Sequence, residues 1–179
     1  MAVRPVLQIG DPRLRQLARP VPEDRLGSDA LDGLIADLLE TMEARQGVGL
    51  AAPQIGEPWR VIVVGSGRPC ARYPLAPVVP RQVLINPWLT RLDDSCARDE
   101  EGCLSVPGQR AQVLRWRRIR CRALAPDGSQ VDKPMEGFEA RVAQHELDHL
   151  NGVLFPDRLQ PPGDGSLPDA GALNLDGPD

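Results

Sequence analysis

The stretch Gln144-His145-Glu146-Leu147-Asp148-His149-Leu150 constrains the fold more than any other part of the chain. Two histidines four residues apart share one face of a helix, about one turn (~5.4 Å) from each other. Leu147 and Leu150 fall on the far side, so such a helix needs a core on one face and a polar site on the other. The histidine spacing suits two nitrogens closing on one metal ion. Glu146 then lies within reach of a water held there, a pattern familiar from zinc hydrolases. His145 and His149 are the only histidines in the chain, which makes chance placement at ligand spacing hard to credit. The alternative is an exposed helix with two surface imidazoles and solvated carboxylates.

The pattern predicts this helix over residues 137–151, with Gly152 as its stop. With His145 at ~0°, Phe138 lies near ~20°, His149 near ~40° and Val142 near ~60°, at ~100° per residue. Phe138 and Val142 therefore share the metal face, while Ala143, Leu147 and Leu150 point to the core. An apolar wall beside a metal implies a pocket for an apolar side chain.

A second helix is expected over residues 29–45. Ser28 is its N-cap, and Leu31, Leu34, Ile35, Leu38, Leu39 and Met42 form its apolar stripe. Gly47 ends it. The apolar run 59–64 reads as a strand buried on both faces, and 82–86 as another that Pro87 limits. Residues 65–80, rich in proline and glycine and containing Cys70, read as a surface loop, and 91–101 as charged and turn-like. Residues 117–123 alternate arginine with apolar residues, as a half-buried strand does, with Cys121 inward. That alternation favours a solvated strand face over a nucleic-acid patch. Asp127-Gly128 marks a hairpin turn.

A metal site of this type takes three protein ligands. No histidine remains, so the third is a carboxylate or a cysteine. Asp157 or the acidic C-terminal stretch offers the first. Cys103, in Glu101-Gly102-Cys103-Leu104-Ser105-Val106-Pro107-Gly108, offers the second. The four cysteines form no C-x-x-C pair and no disulfide framework, which fits a reducing, cytoplasmic setting. The net charge of −4 carries no nucleic-acid footprint. No apolar run approaches the ~18 residues of a membrane span, and the N-terminal residues resemble neither a signal peptide nor a presequence. Residues 1–160 are expected to form one catalytic domain, and the Pro-, Gly- and Asp-rich residues 161–179 a flexible tail.

Gly47-Val48-Gly49-Leu50-Ala51-Ala52-Pro53-Gln54 is either a plain helix stop and loop or a backbone that bends sharply and admits close approach. It lacks the lysine of a phosphate loop. Together with Glu101-Gly102-Cys103-Leu104-Ser105 and Gln144-His145-Glu146-Leu147-Asp148-His149, in that order, it resembles the three motifs of the peptide deformylases. Weaker agreement runs over residues 9–159, including Val83-Leu84-Ile85-Asn86-Pro87 and Gly152-Val153-Leu154-Phe155-Pro156-Asp157.

The resemblance implies an α+β fold, with mixed or antiparallel sheets packed around the H-E-x-x-H helix and an N-terminal amphipathic helix. It implies removal of the N-formyl group from the N-terminal formylmethionine of new polypeptides, with release of formate. By that resemblance Cys103, His145 and His149 bind the metal, and Glu146 is the general base and acid, accepting the proton of the water that attacks as hydroxide and passing a proton to the leaving nitrogen. The Gln54 amide and the Leu104 N–H stabilise the oxyanion. Val48, Phe138 and Val142 line the methionine pocket, Gly49 meets the substrate backbone, and Arg110 contacts substrate at the periphery. The family characteristically uses one iron(II) in cells, and zinc, nickel or cobalt fit the same donors. The implied partners are N-formylmethionyl nascent peptides, with a transient ribosome encounter. The acidic tail is short of the basic residues that docking through it would need, and neither nucleic acid nor membrane is expected as a partner. Arg141 and Asp99 stand where relatives can be apolar, so the pocket's fine shape is expected to differ. Two competing readings are an endopeptidase with a carboxylate third ligand and a non-catalytic metal-binding module.

Overall fold

In the computed structural model, which describes residues 2–159, one antiparallel sheet separates two helices. Helix α1 spans Asp29–Ala44 and α2 spans Gly137–Leu150. The sheet is built from β1 (Gly49–Ala51), β2 (Val61–Val64), β3 (Gln82–Arg91), β6 (Arg118–Leu124) and β7 (Gln130–Glu136), in that spatial order. A separate two-stranded ribbon pairs β4 (Cys96–Cys103) with β5 (Val106–Trp116).

The continuous apolar run of β2 has a simple cause. Ile62 and Val64 face α2, where Ala143, Leu147 and Leu150 pack with them. Val61 and Val63 face α1, where Leu31, Ile35, Leu38 and Met42 cover them. Each such burial contributes about 1.5–3 kcal/mol, so the stripe of α1 is core, as its spacing implies. The helix starts where expected, with Ser28 Oγ accepting the Leu31 N–H at 3.3 Å. Gly152, at φ 72°, follows α2 in the left-handed region that stops a helix.

Two strand expectations are corrected. β3 does not stop at Pro87 but continues to Arg91 through a register shift between Ile85 and Trp88. Asn86 takes φ 51° there, and its side chain bonds both backbone groups of Val21, at 2.8 and 2.9 Å. The bulge places a proline where no ladder donor is needed. The charged stretch is turn-like only before Cys96; from there to Cys103 it is β4. Asp99 and Glu100 point to solvent, and the ladder with β5 makes the strand, a tertiary pairing that local composition does not announce.

The alternating segment is β6, with Ile119 and Cys121 buried and arginines outside. Those arginines face carboxylates: Arg118 to Asp93 at 2.8 Å, and Arg120 and Arg122 to Asp132 at 2.6 and 3.5 Å. Gly128, at φ 81°, turns β6 into β7. All four cysteines are free. Among the described residues no helix is long and apolar enough to cross a membrane. The stretch 161–179, expected to be a flexible tail, lies outside the described residues.

Candidate metal centre

Three donor atoms meet where α2 passes the end of β4. His145 and His149 come from successive turns of α2, and Cys103 from the last residue of β4, where the ribbon's register shifts. One ligand atom from each lies within 4.8 Å of the other two. Cys103 Sγ is 3.2 Å from His149 Nε2, and both residues are buried.

Behind them stands a buried ion-pair network. His145 Nδ1 lies 2.9 Å from Glu101 Oε2, which orients the ring and turns its other nitrogen toward Cys103. Arg115 donates to both Glu101 oxygens, at 2.9 Å each, and to Asp148 at 2.6 Å. Arg141 adds a bond to Glu101 at 2.7 Å and donates to the Val113 and Ala97 carbonyls. Arg158 closes the network on Asp148 at 2.7 Å.

Burial alone would raise the Glu101 carboxyl, but Arg115 and the bond to His145 outweigh it and hold the group well below the usual range. Burial would likewise raise the Cys103 thiol, but His149 and His145 outweigh it and favour the thiolate. A carboxylate and a thiolate thus face the two histidine rings and hold a proton on His145, a positive charge that a metal ion would replace. The donor set of one thiolate and two imidazoles suits a transition metal or zinc. Glu146 Oε2 is buried without a protein partner beside these donors, the mark of a site built for a further group. The residues present therefore fit a metal ion.

Around this centre lies a small cavity, partly open to solvent. Val48, Gly49, Gln54, Cys103, Leu104, Phe138, Val142, His145 and Glu146 all line it. Burial pushes the Glu146 carboxyl up to about 7, against the pull of both histidines. Gln54 Oε1 accepts the Ala51 N–H at 2.9 Å, which aims Nε2 at Ser105 Oγ (3.1 Å) and Cys103 Sγ (3.5 Å). A Cβ on Gly49 would overlap the Glu146 carboxylate and come within 2.7 Å of Val142 Cγ1. Close approach, then, is what the glycine provides.

Arg110 stands apart, on a wider groove outside the cavity, bonded to Glu100 at 2.6 Å. Asp157, the downstream carboxylate considered as a ligand, instead bonds Arg15 and the Leu154 N–H. Sequence reasoning did not single out Arg115 or Tyr73. A lone arginine inside Val113-Leu114-Arg115-Trp116 was a signal for the first, because a charge amid apolar residues needs a buried partner. Nothing local marks Tyr73.

Comparison with known proteins gives a consistent result. The sequence pattern of the family described as "Polypeptide deformylase" matches residues 3–164. "Peptide deformylase 1" of Prochlorococcus marinus is 53% identical over 159 residues, 89% of this chain and 82% of that protein. "Peptide deformylase 2" of Pseudomonas syringae pv. tomato is 47% identical, over 88% of this chain and 87% of its own length. Among solved structures, the Met-Ala-Ser-bound class I type b peptide deformylase of Acinetobacter baumannii matches with TM-score 0.85 and 42% identity, over 88% of this chain and 99% of that one. The peptide deformylase of Thermotoga maritima matches with TM-score 0.79 and 37% identity, over 90% and 100%.

Proposed function

The chain belongs to the polypeptide deformylase family, a family of metal-dependent enzymes, and from that premise we propose how its own residues remove the N-formyl group of nascent polypeptides. The observation that carries the reading is the convergence of Cys103, His145 and His149 within 4.8 Å beside Glu146. Those three residues hold the ion, iron(II) in cells, with zinc, nickel or cobalt accepted by the same donors. When bound, the ion supplies Lewis acidity, which activates water at neutral pH and polarises the formyl oxygen.

The remaining steps belong to side chains and backbone. Glu146 takes the proton of the attacking water and delivers it to the methionine nitrogen as the C–N bond breaks and formate departs. Burial raises this carboxyl above the ordinary carboxylate range, toward the neutral pH at which both transfers take place. Gln54 Nε2, fixed through Ala51, and the Leu104 N–H donate to the developing oxyanion, where such donors are worth several kcal/mol. Val48, Phe138 and Val142 receive the methionine side chain. Gly49 keeps the space beside Glu146 open for substrate backbone, and Arg110 acts from the outer groove. Nascent formylated chains place the reaction in the cytoplasm, with any ribosome encounter a transient one.

The test is formate release from formyl-Met-Ala-Ser by anaerobically iron-loaded protein, repeated with nickel. Wild type should turn over, Glu146→Ala should lose about 10²–10⁴-fold in rate while keeping metal, and Cys103→Ala should lose metal and activity together. A fully metallated wild type that releases no formate would sink the reading.

A further inference from the structure

Loop 65–80 reaches the mouth of the cavity through Arg72 and Tyr73, which both line it. Tyr73 is the only tyrosine of the chain. Its ring rests on Phe138, centroids 5.3 Å apart, and the Arg110 guanidinium lies 4.7 Å above it. Its hydroxyl accepts the Gly102 N–H at 3.0 Å and donates to the Gly102 carbonyl at 3.1 Å. One side-chain atom thus occupies both backbone groups of a single residue, next in sequence to Cys103.

In a strand the N–H and C=O of one residue point to the same side, and a neighbouring strand uses them as a pair. β5 covers one side of β4, so the Tyr73 hydroxyl stands where a further strand would add. Exposed edges of this kind are templates for extended peptides. A phenol, both donor and acceptor, reproduces the two bonds of the missing residue.

The consequence rests on the deformylase reading. A formylmethionine seated against Val48, Phe138 and Val142 sends its next peptide group toward the mouth of the cavity, where Gly102 and Tyr73 stand. We propose that Tyr73 sets how tightly the site holds a peptide beyond its first residue. The phenol fills the Gly102 edge until an extended peptide displaces it, and it returns when the deformylated chain leaves. Free methionine ends before Gly102 and leaves the phenol in place. The hydroxyl is therefore a built-in competitor that lowers retention of product.

Tyr73→Phe tests this, because it keeps the ring against Phe138 and beneath Arg110 and removes only the hydroxyl. Nickel-loaded variant should bind Met-Ala-Ser about 2- to 10-fold more tightly than wild type, the scale of one or two net hydrogen bonds. KM for formyl-Met-Ala-Ser should fall in step, and affinity for free methionine should not change. Amide exchange at Gly102 should be slow in wild type, fast in the variant, and slow again in the variant with Met-Ala-Ser bound. Equal or weaker binding of Met-Ala-Ser by the variant, or a Gly102 amide equally protected in both free proteins, would overturn the proposal. A wild type that releases no formate would instead remove the reading beneath it, so the two failures are distinct.

Discussion

Helix α2 is held on two sides by opposite chemistry. One face sets Ala143, Leu147 and Leu150 against Ile62, Val64 and Leu84 of the sheet, apolar throughout and fully or nearly fully buried. The other sets Arg141, His145 and Asp148 against the β4–β5 ribbon, where Glu101 and Arg115 meet them through hydrogen bonds. Both faces are largely buried, but they respond differently to change. Apolar contacts are individually small and non-directional, so a lost methylene leaves a cavity that partly relaxes. A buried ion pair contributes little net stability when intact, yet removal of one partner strands the other in a medium that penalises charge. The core face fixes where the helix lies, and the charged face fixes how His145 points.

Arg115 is the sharpest place to break that contrast. Arg115→Met removes the one cation shared by Glu101 and Asp148, leaving Glu101 to Arg141 and His145 and Asp148 to Arg158, and unfolding in denaturant should show a loss of about 3–5 kcal/mol. Metal retention against a chelator should fall with it, because Glu101 no longer holds His145 in a fixed orientation. Full metal retention in a folded variant would break the link between network and site. Leu147→Ala, on the opposite face, should cost about 2–5 kcal/mol while the folded protein keeps its metal affinity. A parallel loss of metal would show that the two faces are not separable.

Protonation offers a third handle. Burial raises Glu146 from 4.5 to about 7, so the fold of metal-stripped protein accommodates the neutral acid. Stability from this group is complete below the ordinary carboxyl pKa and is lost as pH climbs through about 7, by on the order of 3 kcal/mol. Glu146→Gln removes that slope. Urea midpoints of the two metal-free proteins should therefore agree near about pH 4.5 and diverge by about pH 8, with the variant more stable. Parallel midpoints would count against a buried, neutral Glu146.

The smallest effect lies at the border of the two faces. Gln144 accepts the Trp116 N–H at 3.1 Å and donates to the Trp116 carbonyl at 2.8 Å, tying α2 to the end of β5. Gln144→Leu leaves both backbone groups unpaired and should cost about 1–3 kcal/mol, with rates on formyl-Met-Ala-Ser little altered. A rate loss matching a Glu146 variant would place Gln144 in the reaction rather than the scaffold.

Sequence by itself determined the elements whose cause is local. Ser28 and the stripe from Leu31 to Met42 specify α1, and the histidine spacing with Gly152 specifies α2 and the sidedness of Phe138, Val142 and Leu147. Alternation specifies β6, with Cys121 inward. The candidate site was legible because its motif residues are rare and closely spaced within three short runs, and the structure brings Cys103 to both histidines. Tertiary structure decided whatever depends on a partner far along the chain. β4 is a strand only because β5 lies beside it, and β3 passes Pro87 only because Asn86 can turn outward to Val21. Arg115 is tolerable at full burial only because Glu101 and Asp148 arrive from elsewhere, and Tyr73 meets Gly102 only when its loop folds across the cavity. Periodicity and caps report the energetics of neighbours in sequence, whereas strand pairing, buried charge and a side chain at a strand edge depend on contacts that exist only once the chain has closed on itself.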